Sequence, residues 1–159
     1  MRAENKIVQL DQAKQLILEW KKQGLKTVFT NGCFDILHLG HVDYLEKARE
    51  FGDKLILGLN TDNSVKRQNK GPERPINNEH SRARILASLF FVDLVVLFDQ
   101  DTPYDIISVL KPEILVKGDD YSVENIVGAD IVINGGGEVK TIPLVKGFST
   151  TSIINKLKN

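Results

Sequence analysis

Between Asn31 and His41 the chain reads Asn-Gly-Cys-Phe-Asp-Ile-Leu-His-Leu-Gly-His, with His38 and His41 three residues apart around Gly40. An apolar run, Thr27-Val-Phe-Thr30, precedes this segment and a helix-like stretch follows it, so it has the form of a strand-to-helix turn. A helix that begins just past a strand end presents unpaired N–H groups and a positive dipole end, and both favour anions. Gly32 and Gly40 let backbone and ligand approach closely. Histidines three apart fall on nearly the same side of a first helical turn. Phosphate binding is the chemistry this pattern suits, with the N–H groups of Cys33 and Phe34 as further donors.

Blander readings compete for the same residues. The histidines could be helix-start residues satisfied by nearby backbone. Zinc would need Cys33 or Asp35 to complete a set, yet those sit in a turn whose side chains diverge, and no other ligand pair stands at metal spacing. A nucleophilic Cys33 would need a Cys-His-Asn or Cys-His-Asp arrangement that is not legible, so packing is its expected role.

Further along, Lys66, Arg67, Lys70 and Arg74 flank Gly71 and Pro72. Charge runs are usually solvated surface, but a flexible basic segment beside a strand end suits a lid over a polyphosphate, with Lys70 foremost. Gly147-Phe-Ser-Thr-Thr151 is a glycine followed by hydroxyls at a helix start, which is capping chemistry and also phosphate-binding chemistry. Asp119 and Asp120 beside Gly118 read as a turn, and His80 as helix-start surface.

The stretch Gly32-Cys-Phe-Asp35 with His38-Leu-Gly-His41 resembles the signature of the cytidylyltransferase-like nucleotidyltransferases. Lys66-Arg-Gln-Asn-Lys-Gly-Pro-Glu-Arg-Pro75, Leu115-Val-Lys-Gly-Asp-Asp-Tyr121 and Gly147-Phe-Ser-Thr-Thr-Ser-Ile153 are similar, in order and spacing, to the bacterial heptose 1-phosphate adenylyltransferases. This resemblance covers nearly the whole chain. It implies transfer of AMP from ATP, with Mg2+, to heptose 1-phosphate, giving ADP-heptose and pyrophosphate. It assigns catalytic contacts to His38, His41, Lys70 and Arg82, the last matching an arginine that contacts phosphate in related enzymes. Nucleotide binding falls to Gly32, Cys33, Phe34, Gly40, Lys117, Gly118, Asp119, Gly147, Ser149, Thr150 and Thr151. Asp35, Asn60 and Lys66 are implied on the substrate side, Asp35 orienting a histidine or helping to hold Mg2+; the metal ligands are otherwise open.

One departure bears on the nucleotide: related cytidylyltransferases carry arginine three residues before the glycine at 147, where this chain has Leu144. A CTP-dependent enzyme acting on glycerol 3-phosphate or a similar alcohol phosphate is therefore the second expectation, and a non-catalytic nucleotide-binding module the third. Relatives imply a homodimer by analogy. The family often joins this domain to a sugar kinase, for which 159 residues leave no room, so a version with a separate kinase is expected.

These residues need a scaffold, and the chain supplies alternating signals. Helical spacing covers 10–24, with Asp11 as cap and Gly24 as stop. Strands are predicted at 27–30, 54–59, 93–98, 113–116 and 139–143. Helices are predicted at 40–51, 61–67, 78–91, from the Thr102-Pro103 start onward, at 123–127 and at 150–157. Alternation of this kind predicts an α/β fold, a Rossmann-like doubly wound five-stranded parallel sheet with helices on both faces, in a single domain over 1–159 whose core begins near 26. Ligands of such sheets bind at the carboxyl ends of the strands, where nearly every polar cluster above falls. Asn134-Gly-Gly-Gly137 precedes the last strand and so reads as a turn at the opposite edge.

Composition narrows the classes. The 21 basic and 21 acidic residues cancel, so no global field draws the chain to nucleic acid or to a membrane surface. Apolar runs fall far short of the roughly 20 residues a bilayer span needs, and the charged start leads into no apolar leader. A single cysteine fits a reducing compartment, so a cytoplasmic protein acting on small molecules is expected.

Overall fold

In the computed structural model, which describes residues 1–159, five parallel strands form one sheet: β1 (Thr27–Gly32), β2 (Lys54–Asn60), β3 (Leu94–Phe98), β4 (Ile114–Gly118) and β5 (Glu138–Ile142), in the order β3-β2-β1-β4-β5. The α-helices are α1 (Leu10–Lys22), α2 (Leu39–Glu50), α3 (Asp62–Arg67), α4 (Glu79–Ala87), α5 (Tyr104–Leu110), α6 (Ala129–Asn134) and α7 (Thr150–Lys158). Short 3-10 turns occupy Ala3–Lys6 and Val123–Asn125.

Alternation along each strand splits the apolar residues between two cores. Val28, Leu55, Leu57, Val95 and Val116 face one side, where Leu45, Ala48, Ala83 and Leu86 of α2 and α4 cover them. Phe29, Ile56, Leu94, Val96 and Leu115 face the other, beneath Ala13 and Ile17 of α1, Ile106 and Ile107 of α5 and Val132 of α6. Burial on both faces is why these strands are apolar runs rather than alternating ones.

The chain leaves β1 toward β2 and β3 on one side, then returns to place β4 and β5 on the other, so β1 and β4 flank the switch point where such sheets open a crevice. Pairing follows suit. Six residues of β1 register with β2, from Thr27↔Lys54 to Gly32↔Leu59, whereas β1 and β4 pair only at Val28↔Ile114 and Phe29↔Leu115. Beyond that point side chains bridge the gap. Tyr44 Oη donates to Val116 O at 3.0 Å, which leaves Thr30 Oγ1 as the donor in its 2.7 Å bond to Tyr44. Lys117 Nζ donates to Asn31 Oδ1.

The expected strands all occur, and β1, β2 and β4 run on into polar residues at their carboxyl ends. Two helices differ from expectation. The one predicted at 123–127 is only a 3-10 turn that ends at Asn125, and Gly128, at φ +87°, leads into α6. The one predicted to reach 91 stops at Ala87, where Ser88 caps it. No helix is long and apolar enough to cross a membrane.

Candidate active site

A cavity of about 780 Å³ opens at the carboxyl ends of the strands. Of the site residues expected from sequence, Lys66, Arg82, Asp119 and Gly147 lie off its lining, and all the others are on it. Asn134 ends α6, and Gly135 to Gly137 turn the chain into β5 at the opposite end of the sheet, as their place before β5 requires.

The turn after β1 is held by its own side chains. Phe34 adopts a left-handed conformation, φ 46°, which a non-glycine residue takes only when its surroundings impose it. Its ring packs so near Gly32 that a Cβ there would lie 2.9 Å from the Phe34 ring. Neither the Cys33 nor the Phe34 N–H donates within the protein, so both remain available to a ligand.

His38 caps α2, its Nδ1 accepting from the His41 N–H at 3.3 Å. The two imidazoles stack with centroids 3.7 Å apart, and the Phe34 ring meets His41 edge-on at 5.0 Å. Burial pushes the His41 pKa down, the neighbouring His38 and Lys70 push further, and only the Ile36 carbonyl opposes them, leaving it at about 4; burial also lowers His38. Both rings are thus neutral at pH 7, so each carries one N–H that a ligand can accept from, and no full charge. His41 Nδ1 is enclosed and has no partner within the protein. Gly40 lies close under the His38 ring: a Cβ there would stand 3.0 Å from it, so the ring would have to shift.

Positive charge comes from two lysines. Lys70 Nζ lies 3.5 Å from Cys33 Sγ at the rim. Lys117 is pushed down to about 8 by burial, with Asp120 and Cys33 pulling it back up. At the far wall the start of α7 brings Ser149, Thr150 and Thr151 to the cavity, with Ser149 Oγ capping the helix by accepting from the Ser152 N–H at 3.0 Å. Gly147, at φ +86°, shapes the turn ahead of them.

Two charged residues have other tasks than those expected. Asp35 accepts no hydrogen bond from a histidine. Its carboxylate accepts from Arg74 Nε at 2.7 Å, the Ile76 N–H at 2.8 Å and the Asn77 N–H at 2.9 Å, and its side chain is 0% exposed. Burial alone would raise its pKa, but those N–H groups and the guanidinium hold it below the usual carboxylate range.

Arg82 was expected on phosphate, yet it is 1% exposed beneath the cavity. Its Nη1 donates to Cys33 O and Asn60 O, both at 2.8 Å, Nε to Asn77 O at 2.9 Å, and Nη2 to Asp62 at 2.8 Å. One guanidinium therefore fixes the histidine turn, the end of β2 and the end of the basic loop to one another. Lys66 points to solvent from the last turn of α3, and Asp119 serves through its N–H, bonded to Ile142 O at 3.0 Å.

Residues not anticipated include Tyr44, Asn31 and the apolar wall of Ile126, Val127, Val145 and Phe148. Tyr44 had a signal: it continues the three-residue spacing of His38 and His41 along α2. Leu144 also lines the cavity, half-exposed, against Gly118, where a Cβ would meet Leu144 Cδ2 at 3.0 Å.

The sequence profile described as cytidylyltransferase-like matches residues 29–156, a span holding every cavity element above. The chain belongs to this family. The bifunctional protein HldE of Magnetococcus marinus is 56% identical over 153 residues, which are 96% of this chain and 31% of that protein. HldE of Hyphomonas neptunium is 60% identical over 135 residues, 85% of this chain and 28% of that one. The chain spans about a third of the length of these curated relatives. Among solved structures, the lipopolysaccharide core biosynthesis protein of Thermoplasma volcanium superposes with TM-score 0.61 at 30% identity, covering 79% of this chain and all of the other. The pantoate-beta-alanine ligase of Francisella tularensis, 17% identical, shares the fold with TM-score 0.59 over 96% of this chain and 76% of that one.

Proposed function

We propose that this chain is a nucleotidyltransferase that moves AMP from ATP to heptose 1-phosphate, releasing pyrophosphate and forming ADP-heptose. The observation that carries the reading is the convergence on one cavity of stacked neutral histidines, free N–H groups after β1, Lys70, Lys117 and the start of α7. The extent of identity to the HldE proteins and the order of the sequence blocks support the acceptor and the nucleotide. Leu144 favours ATP over CTP, because it puts an apolar side chain where related cytidylyltransferases have an arginine.

The chemistry asks little of the protein in activating the nucleophile. A phosphomonoester has a second pKa of about 6, so its oxygen is largely ionised at neutral pH and needs no general base. What the site supplies is placement of that oxygen in line with the α-phosphorus and compensation of the charge growing on the leaving pyrophosphate. His38 and His41 donate N–H groups from fixed positions, the Cys33 and Phe34 N–H groups add to them, and Lys70 brings a full charge from the rim. By analogy with oxyanion holes, each preorganised donor is worth roughly 3–4 kcal/mol.

Mg2+ fits this donor set only as an ion carried in on the triphosphate. Asp35 is consumed by Arg74 and two N–H groups, no group of three metal-ligating side chains exists, and Asp120 is the one lining carboxylate without a salt bridge. A single carboxylate plus substrate oxygens is the usual arrangement for Mg2+, so Asp120 would hold it from the protein side. When bound, the ion neutralises phosphate charge.

The deciding experiment incubates the protein with ATP, Mg2+ and a panel of sugar 1-phosphates and follows pyrophosphate. Release with heptose 1-phosphate, and little with CTP in place of ATP, is expected. Preference for CTP, or tight ATP binding with no product from any acceptor, would overturn the reading. Homodimerisation and a cytoplasmic setting belong to the same proposal, the first tested by sedimentation equilibrium and the second by cell fractionation.

A further inference from the structure

Asn60 ends β2, is 2% exposed, and lines the cavity beside the histidine turn. Its backbone carbonyl shares Arg82 Nη1 with that of Cys33, which fixes its distance from the phosphate donors. Its side-chain amide is also oriented. Nδ2 donates to Ser64 Oγ at 3.0 Å, and Ser64 Oγ donates to Gln100 O at 2.8 Å. A carbonyl only accepts, so the Ser64 proton is committed and its oxygen can only receive from Asn60; this settles which end of the amide faces where. Oδ1 is left without a protein partner, and it is not sealed off: the one enclosed, unpartnered side-chain N or O atom is His41 Nδ1.

A fixed, unbonded and unenclosed carbonyl oxygen on a cavity-lining residue suits a ligand group that brings a proton. Ionised phosphate oxygens bring none and repel it, whereas hydroxyls donate readily. Asn60 has company on its side of the sheet: Gln68, Asp101 and Thr102, from the loops after β2 and β3, also line the cavity and can exchange hydrogen bonds with hydroxyls. The apolar lining residues instead concentrate on the segments following β4 and β5, as Ile126, Val127, Leu144, Val145 and Phe148, beside the polar Asp120, Asn125 and the hydroxyls at the start of α7. The β2–β3 flank is therefore polar and hydroxyl-reading, whereas the apolar surface that suits a base lies on the β4–β5 flank, with the histidine turn between them.

We infer that Asn60 determines acceptor specificity by accepting a hydrogen bond from a hydroxyl of the sugar phosphate, on the opposite side of the phosphate site from the nucleotide base. The inference rests on the sugar 1-phosphate reading above. Ser64 acts through it as a positioning residue, holding the amide with its oxygen outward.

The test compares KM for the sugar 1-phosphate, KM for ATP and the dissociation constant of ATP in wild type, Asn60→Leu and Ser64→Ala, with melting temperatures to confirm folding. Sites built to bond a substrate hydroxyl reject ligands lacking it strongly, so Asn60→Leu should raise the acceptor KM at least tenfold and leave ATP binding within twofold. Ser64→Ala should raise the acceptor KM by less. On wild type, which needs no folded variant, a series of monodeoxy sugar 1-phosphates should contain one member with a tenfold or greater loss in kcat/KM. That loss should shrink in Asn60→Leu. Equal losses for ATP and acceptor, or a deoxy series without effect, would overturn the inference while the transferase reading stands. Wild-type protein that binds ATP but turns over no sugar 1-phosphate would overturn both.

Discussion

Replacing Arg82 separates a framework role from a phosphate contact. Arg82→Met keeps the aliphatic stem and removes the guanidinium, so Cys33 O, Asn60 O and Asn77 O lose a donor and Asp62 loses its ion pair. Each buried acceptor left without a partner costs about 1–3 kcal/mol. Asp62, whose side chain is 30% exposed, recovers water and contributes least. Even at the low end the loss is about 3–4 kcal/mol, a large part of the about 5–15 kcal/mol that holds a domain together. At about 2–4 °C per kcal/mol for a chain of this size, the melting temperature should fall by roughly 10 °C. Arg82→Lys keeps the charge but cannot span four acceptors, so it should fall between. The assay pairs thermal melts with and without ATP and pyrophosphate release measured well below the melting point. If Arg82 only braces the site, ATP should raise the melting temperature of wild type and Arg82→Lys by similar amounts. A variant that melts like wild type but has lost the ATP-induced rise would refute the bracing argument and put the guanidinium on phosphate.

Three further outcomes follow from the same geometry. Gly40→Ala should keep or raise the melting temperature, since alanine favours helix by up to about 1 kcal/mol, yet cut turnover at least tenfold, because its Cβ would displace the His38 ring; unchanged turnover would show that the ring's position is unimportant. ATP affinity of the free protein should weaken as pH rises past about 8, where Lys117 loses its proton, and Lys117→Met should bind more weakly with no such pH dependence in titration calorimetry. For His41 the unfolded chain takes up a proton near the ordinary imidazole range and the folded protein only near about 4, so the unfolded state binds more protons between them and stability falls as pH drops through that window. His41→Asn should flatten that fall in denaturant melts at pH 7 and pH 5, and an equal fall in both proteins would count against it.

How far the fold could be read from sequence depended on whether local pattern or packing decided each element. Leu55-Ile-Leu57, Leu94-Val-Val96 and Ile114-Leu-Val116 announce strands because both their faces are buried, and the polar stretches between them leave room only for crossovers. The expected first strand ends at Thr30, yet the β1–β2 ladder continues through Asn31↔Gly58 and Gly32↔Leu59, since backbone pairing does not need apolar side chains. Helix α6 was missed for the opposite reason. Its Ile131-Val-Ile133 is β-branched and flanked by Gly128 and Gly135, which is a strand's signature; it is helical because Ala129 and Val132 bury against the sheet.

In the site, the histidine turn was legible because its chemistry is local, with donors, glycines and helix start within eleven residues. The charges were not, because their partners lie far along the chain: Asp35 is 39 residues from Arg74, and Arg82 is 49 from the Cys33 carbonyl it holds. Those pairings change the meaning of the basic loop as well. Arg74, Ile76 and Asn77 are tied to Asp35, so the loop's downstream end is fixed, whereas residues 68–70 are exposed and Asn69 and Gly71 already sit at positive φ. If the loop closes over a polyphosphate, the half that carries Lys70 is the one free to move, since Arg74, equally basic in sequence, is held by Asp35 at the fixed end.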